Sequence, residues 1–149
     1  HNNNNHNNNS GHRLLGILDI SGFESFALNS LEQLLINLSN EQLQLQFNEA
    51  VFKTEIQDCL KEGVSLGDAI SYVDNSDCVV LLDGRGGILD MLDEEVALPK
   101  GSDTAFANKV LRIQGKHQRL ITPKFSGAAV FGIQHYAATV SYTCDGFLE

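Results

Sequence analysis

Apolar residues fall into three rhythms along this chain, and each rhythm predicts a different element. Residues 14–18 (LLGIL) form a short unbroken run, the pattern of a strand buried on both faces of a sheet. From residue 31 onward the rhythm becomes helical: Leu31, Leu34, Leu35 and Leu38 recur on one face, and Phe47, Val51 and Ile56 extend it. Ser30 precedes this run with Gln33 three residues on, a capping-box pattern, and Gly63 supplies a stop. The result is close to thirty residues of helix, about 45 Å at 1.5 Å per residue. A mean helix is only about 11–12 residues. So long an element is either a core strut or a rigid connector between two distant places.

Beyond it, residues 74–95 (DNSDCVVLLDGRGGILDMLDEE) read as two short helices around a tip containing Gly84, Gly86 and Gly87, with Pro99 closing the second. Ser102 or Asp103 can cap a further helix reaching about Ile113. Residues 128–142 then read as β structure. Phe131, Ile133 and His135 alternate on one side, and Val140 and Tyr142 resume after a bend. The expected order is strand, long helix, helical hairpin, helix, strands.

Composition adjusts this picture at its edges. The opening HNNNNHNNNS has nothing to bury, so residues 1–12 are expected to be a disordered low-complexity segment; the spacing of His1, His6 and His12 matches no fixed ligand set. The 149 residues are enough for one domain with a core, and 42% hydrophobic with 19% charged is a globular composition. A net charge of −9 argues against a nucleic-acid partner and leaves no basic patch for anionic lipid. No apolar run approaches the roughly 18 residues of a membrane span, and no signal-peptide pattern opens the chain. Membrane insertion is therefore not expected; a cytoplasmic location is the reading the cysteines favour. Cys59, Cys78 and Cys144 are odd in number, widely spaced and free of CxxC, which points to a reducing compartment without a disulfide framework or zinc site. The lack of an initiator Met suggests a piece of a longer protein.

The chemistry concentrates in residues 18–24 (LDISGFE). An apolar strand ending in Asp19, then Gly22, is an arrangement used where phosphate is hydrolysed: Asp19 can hold a magnesium ion or its water. The Gly22 backbone N–H can approach a terminal phosphate with no Cβ in the way, and Glu24 can pair with a cation elsewhere. Alone, this motif also fits a strand that simply ends in a polar turn. Other motifs carry less. DGRGG (83–87) has no strand leading in and no Lys-Ser/Thr after it, so it reads as a surface turn. Asp74 and Asp77 lack the glycine and glutamate of a calcium loop, Ser21 has no GxSxG elbow, and His135 reads as a satisfied core histidine.

Residues 18–48 (LDISGFESFALNSLEQLLINLSNEQLQLQFN) resemble switch II and the relay helix of the myosin motor domain. The resemblance continues in order. KEGV (61–64) is similar to the relay loop, and residues 72–82 and 86–103 to the helix-loop-helix of the lower subdomain that meets actin. FGIQHYAATVSYTCDGFLE (131–149) is similar to the HYAG…GFLE segment. The resemblance implies an α/β fold: a mainly helical part of the P-loop NTPase motor, with a few sheet strands, over residues 13–149. It implies ATP and Mg2+ in the complete motor, with Asp19 reaching the metal through water and Asp19, Ser21 and Gly22 at the nucleotide. Asp19, Gly22 and Glu24 become the catalytic set, with Glu24 pairing with a switch I arginine. Arg85, Ile88, Leu98 and Lys100 become actin contacts, actin filaments the partner, and the cytoskeleton the setting. Light chains or calmodulin would bind through regions outside this sequence.

The sequence also departs from the family pattern. Leu66 stands where the relay loop usually has Trp, Arg85 and Gly86 replace a Pro-Met pair, Ala97 and Leu98 replace Met-Phe, and Ala138 replaces the HYAG glycine. A smaller apolar tip implies weaker actin docking and an unconventional or divergent myosin. These residues hold no GxxxxGK[ST]; Gly115-Lys116 is followed by His117. The chain by itself is therefore expected neither to hydrolyse ATP nor to bind it tightly. The alternative is a non-hydrolysing actin-binding or regulatory module derived from a myosin head, separable by whether a P-loop lies upstream in the reading frame. A plain helical domain with a chance DxxG fits poorly with so many matches in order.

Overall fold

A computed structural model describes residues 21–63, 74–123 and 129–149. The strand expected at 14–18, Asp19, the low-complexity start and Leu66 lie outside the described residues. Helix α1 runs Leu31–Lys61, 31 residues, close to the expected length. Its N-terminus is fixed by the expected capping box: the Ser30 backbone N–H donates to Gln33 Oε1 at 2.9 Å, and the Ser30 hydroxyl to the same oxygen at 2.7 Å.

The helical hairpin follows as α2 (Ser76–Asp83) and α3 (Ile88–Val96), then α4 (Asp103–Gln114) with Ser102 as N-cap. The hairpin turn needs its glycines. Gly86 has φ +72°, and a Cβ on Gly87 would lie 2.7 Å from the Gly84 carbonyl oxygen. The sheet has three antiparallel strands in the order β1 (Leu120–Ile121), β2 (Val130–Gln134), β3 (Thr139–Thr143). Phe131 pairs with Tyr142 and Ile133 with Val140, so one apolar face lies against the helices. The two-residue β1 was not foreseen; a run so short leaves no period to read. Gly132 lets it lie close, since a Cβ there would sit 2.9 Å from Ile121 Cβ.

The expected α/β reading holds only in its coarser part. The described residues are mainly helical with one small antiparallel sheet, and no parallel pairing occurs among them. The helical rhythm also overstates how much of α1 is packed. Leu34, Asn37, Leu38 and Glu41 are buried at i, i+3, i+4 and i+7, and no described residue of the helix beyond Glu41 is fully buried. Phe47 and Leu60 are exposed. The core sits at the first third of α1, where Leu34 and Leu38 join Leu81, Ile88, Phe106 and Phe131.

Candidate functional site

Residues 21–29 run without helix or strand, bending at 27–28, and are tied to α1 and β3 by asparagines. Asn37 treats Glu24 as one strand treats another. The Glu24 N–H donates to Asn37 Oδ1 at 2.8 Å, and Asn37 Nδ2 donates to the Glu24 carbonyl at 2.7 Å. One helix turn on, Asn40 Nδ2 donates to the Ser21 carbonyl at 3.0 Å. Asn29 closes the far end: its Nδ2 donates to the Ser141 carbonyl at 3.0 Å, and its carbonyl accepts from the Thr143 N–H at 2.9 Å. Phe23 anchors the middle, its ring edge-on to His135 with centroids 5.3 Å apart.

Of the residues expected at a phosphate, Ser21 and Gly22 are exposed and Glu24 is half-buried; Asp19 lies outside the described residues. A Cβ on Gly22 would meet nothing within 4 Å, and its φ is not positive. No described neighbour therefore requires glycine at this position. The Glu24 carboxylate accepts from Gln33 Nε2 at 3.2 Å, and no arginine pairs with it among the described residues.

Behind this segment lies a buried polar chain. Asn37 Nδ2 also donates to the Tyr142 hydroxyl at 2.8 Å, which lies 2.7 Å from His135 Nε2. His135 Nδ1 is 3.0 Å from Glu41 Oε1, and that oxygen also accepts from the Tyr136 N–H at 2.8 Å. Asn75, the N-cap of α2, donates its Nδ2 to Glu41 Oε2 at 2.5 Å and to the Glu41 carbonyl at 2.9 Å. Burial opposes a charge on Glu41, but donors from His135, Asn75 and Tyr136 more than offset it and hold the carboxyl below its ordinary value. Burial, then the Glu41 charge, pushes the Cys78 thiol up, and burial pushes up the Tyr142 hydroxyl.

His135 is thus the satisfied core histidine the sequence suggested, although it lies in the β2–β3 turn, just past the last strand residue. Asn37, Glu41, Asn75 and Tyr142 were not foreseen as parts of a site. A signal existed for two of them: Asn37 and Glu41 are polar residues at positions where the helical rhythm demands apolar ones. Glu41, Cys78 and His135 lie close enough to hold a metal ion, with ligand atoms within 4.8 Å of one another. Here the carboxylate oxygens accept from His135, Tyr136 and Asn75, and burial pushes the thiol up, so the three groups are joined as a buried hydrogen-bonded cluster.

The hairpin tip divides the expected actin contacts. Arg85, Leu98 and Lys100 are exposed, Leu98 at 53%. Ile88 is a correction: it is 0% exposed, the first residue of α3, and faces the core. An apolar residue beside a glycine turn looks like a surface contact in sequence, but here it anchors the hairpin. Val80 and Val96, not foreseen, are exposed apolar residues of the same hairpin. Arg119 braces the start of α2, its Nε donating to Asp77 Oδ2 at 2.9 Å.

A family model for the myosin head (motor domain) matches residues 1–149. The chain is 45% identical over 139 residues to unconventional myosin-Va of Homo sapiens, covering 93% of this chain and 7% of that protein. It is 44% identical over 138 residues to unconventional myosin-Vb of Mus musculus, with 93% and 8% covered. It is also 44% identical over 137 residues to myosin-11 of Arabidopsis thaliana, with 91% and 9% covered. The chain thus spans less than a tenth of the length of these relatives.

Proposed function

This chain belongs to the myosin head family, and we propose that in the intact protein it supplies switch II, the relay helix and part of the actin interface of an ATP-driven motor. The observation that carries the reading is the grip of Asn37 on the Glu24 peptide. It clamps a segment with the composition of a phosphate sensor to the first turns of a 31-residue helix. A small shift of that segment on phosphate release would move the packed end of α1, and a stiff helix carries such a shift along its length.

In this reading Asp19 meets Mg2+ through water, Ser21 and Gly22 contact the nucleotide, and Glu24 completes the hydrolysis-competent site by pairing with an arginine from another segment. The exposure of Ser21 and Gly22 suits such contacts. ATP would supply the transferable phosphoryl group and Mg2+ would neutralise charge on its oxygens. The residues of this chain position and polarise; none needs to bond covalently to phosphate. Arg85 at the turn, Val80 and Val96 on the two helices, and Leu98 and Lys100 just past α3 are exposed and would meet the filament, while the buried Ile88 holds the hairpin in shape. Steady-state ATP turnover of the intact protein, with and without actin filaments, tests the reading. Turnover stimulated by filaments is expected; ATP turnover indifferent to actin would remove the motor assignment.

A further inference from the structure

We propose that Glu41 and His135 are positioning residues for Glu24: the Glu41 carboxylate fixes the direction of the hydrogen-bond chain that ends on the Glu24 peptide, and so fixes where that peptide sits. This rests on the reading that Glu24 acts at a phosphate.

The direction follows from groups whose roles cannot change. A peptide N–H only donates and a peptide carbonyl only accepts. Asn37 must therefore present Oδ1 to the Glu24 N–H and Nδ2 to the Glu24 carbonyl, and the same Nδ2 donates to the Tyr142 oxygen. The buried Tyr142 O–H then needs an acceptor, and because Asn37 Nδ2 only donates, it donates to His135 Nε2 at 2.7 Å. Nε2 then carries no proton, so the neutral ring holds its hydrogen on Nδ1, which faces Glu41 Oε1 at 3.0 Å. Glu41 is an acceptor at both oxygens, and the other partners of its carboxylate, the Tyr136 N–H, Asn75 Nδ2 and the Cys78 thiol, are donors. The two ends of the chain thus demand the same polarity. The chain is buried, so no solvent replaces a lost link.

The consequence is that Glu24 depends on a carboxylate it does not touch. Glu41→Gln leaves one acceptor oxygen where two served, and a donor among His135, Tyr136 and Asn75 loses its partner. Tyr142→Phe cuts the chain one link from Asn37 while leaving the ring in the core. In single-turnover measurements on the intact protein, each variant should slow the hydrolysis step by about tenfold or more, with the rate of ATP binding within about twofold of wild type. Combined, they should cost no more than the larger single effect, because a cut chain cannot transmit. Additive losses, or a folded Glu41→Gln protein hydrolysing at the wild-type rate, would overturn the proposal.

A second readout does not depend on catalysis. Nitrogen-15 spectra of histidine-labelled wild-type protein should show His135 protonated at Nδ1 and bare at Nε2. The opposite tautomer would overturn the proposal whatever the activity. If instead this tautomer is found and Glu24→Ala still hydrolyses ATP, the chain stands and the role given to Glu24 falls.

Discussion

At the scale of single residues, the site depends on a few side chains that can satisfy two demands at once. Asn37 is the clearest. Asn37→Asp keeps the size and the acceptor but has no N–H for the Glu24 carbonyl or the Tyr142 oxygen. It should destabilise the protein by at least about 2 kcal/mol, as much as Asn37→Ala, because a buried acceptor is left facing oxygens. Urea titration of both variants checks this. Glu41 gives a pH signature. Its folded pKa lies below the ordinary 4.5, so its contribution is complete above that value and is lost as the pH falls through the folded pKa. Glu41→Gln should therefore lower stability at neutral pH and flatten its decline in acid. Urea midpoints measured from neutral pH down to acid would show parallel curves if the carboxylate carried no such term. The thiols form a third case: burial pushes Cys144 up to about 12, and Cys78 is likewise buried, whereas Cys59 is half-exposed. Iodoacetamide should modify Cys59 in the native protein and the other two only on unfolding.

At the scale of elements, the hairpin and α1 were legible to different degrees. Helix ends were readable because local chemistry sets them: Ser30 with Gln33, Ser102, and the glycines at 84, 86 and 87 act within a few residues. Burial was less readable because it depends on what packs from elsewhere. Ile88 and Leu98 are both apolar residues near a turn, yet one is 0% exposed and the other 53%. That difference sets a prediction for the hairpin. Ile88→Ala should cost about 2–5 kcal/mol of stability, the range for emptying a buried aliphatic site. Arg85→Glu should leave stability within about 0.5 kcal/mol and instead slow association with actin filaments, most strongly at low salt. For α1, the proposed role needs stiffness beyond the packed turns. Ala50 is exposed in the part of the helix with no fully buried residue. Ala50→Pro breaks the helix there at a cost of about 3 kcal/mol. Hydrolysis should survive while filament gliding driven by the intact protein stops. The polar chain was the least legible part, since Asn37, Glu41, Asn75, His135 and Tyr142 come together from α1, the hairpin start, the β2–β3 turn and β3.

At the scale of the whole molecule, the described residues form a small core that holds one sensor-like segment against one end of a long helix, with a hairpin that buries one face in the same core and exposes the other. No helix among the described residues is long and apolar enough to cross a membrane. The family match and the 44–45% identity to several myosins place this unit within a motor head. In the proposed motor, Glu24, seated by Asn37, completes the hydrolysis site. Quench-flow single turnover of ATP by the intact protein carrying Glu24→Ala tests it most directly. ATP binding should persist while the hydrolysis step falls by about 10²–10³, the usual loss for one transition-state contact. Hydrolysis of bound ATP at the wild-type rate by the Glu24→Ala protein would remove Glu24 from the hydrolysis site.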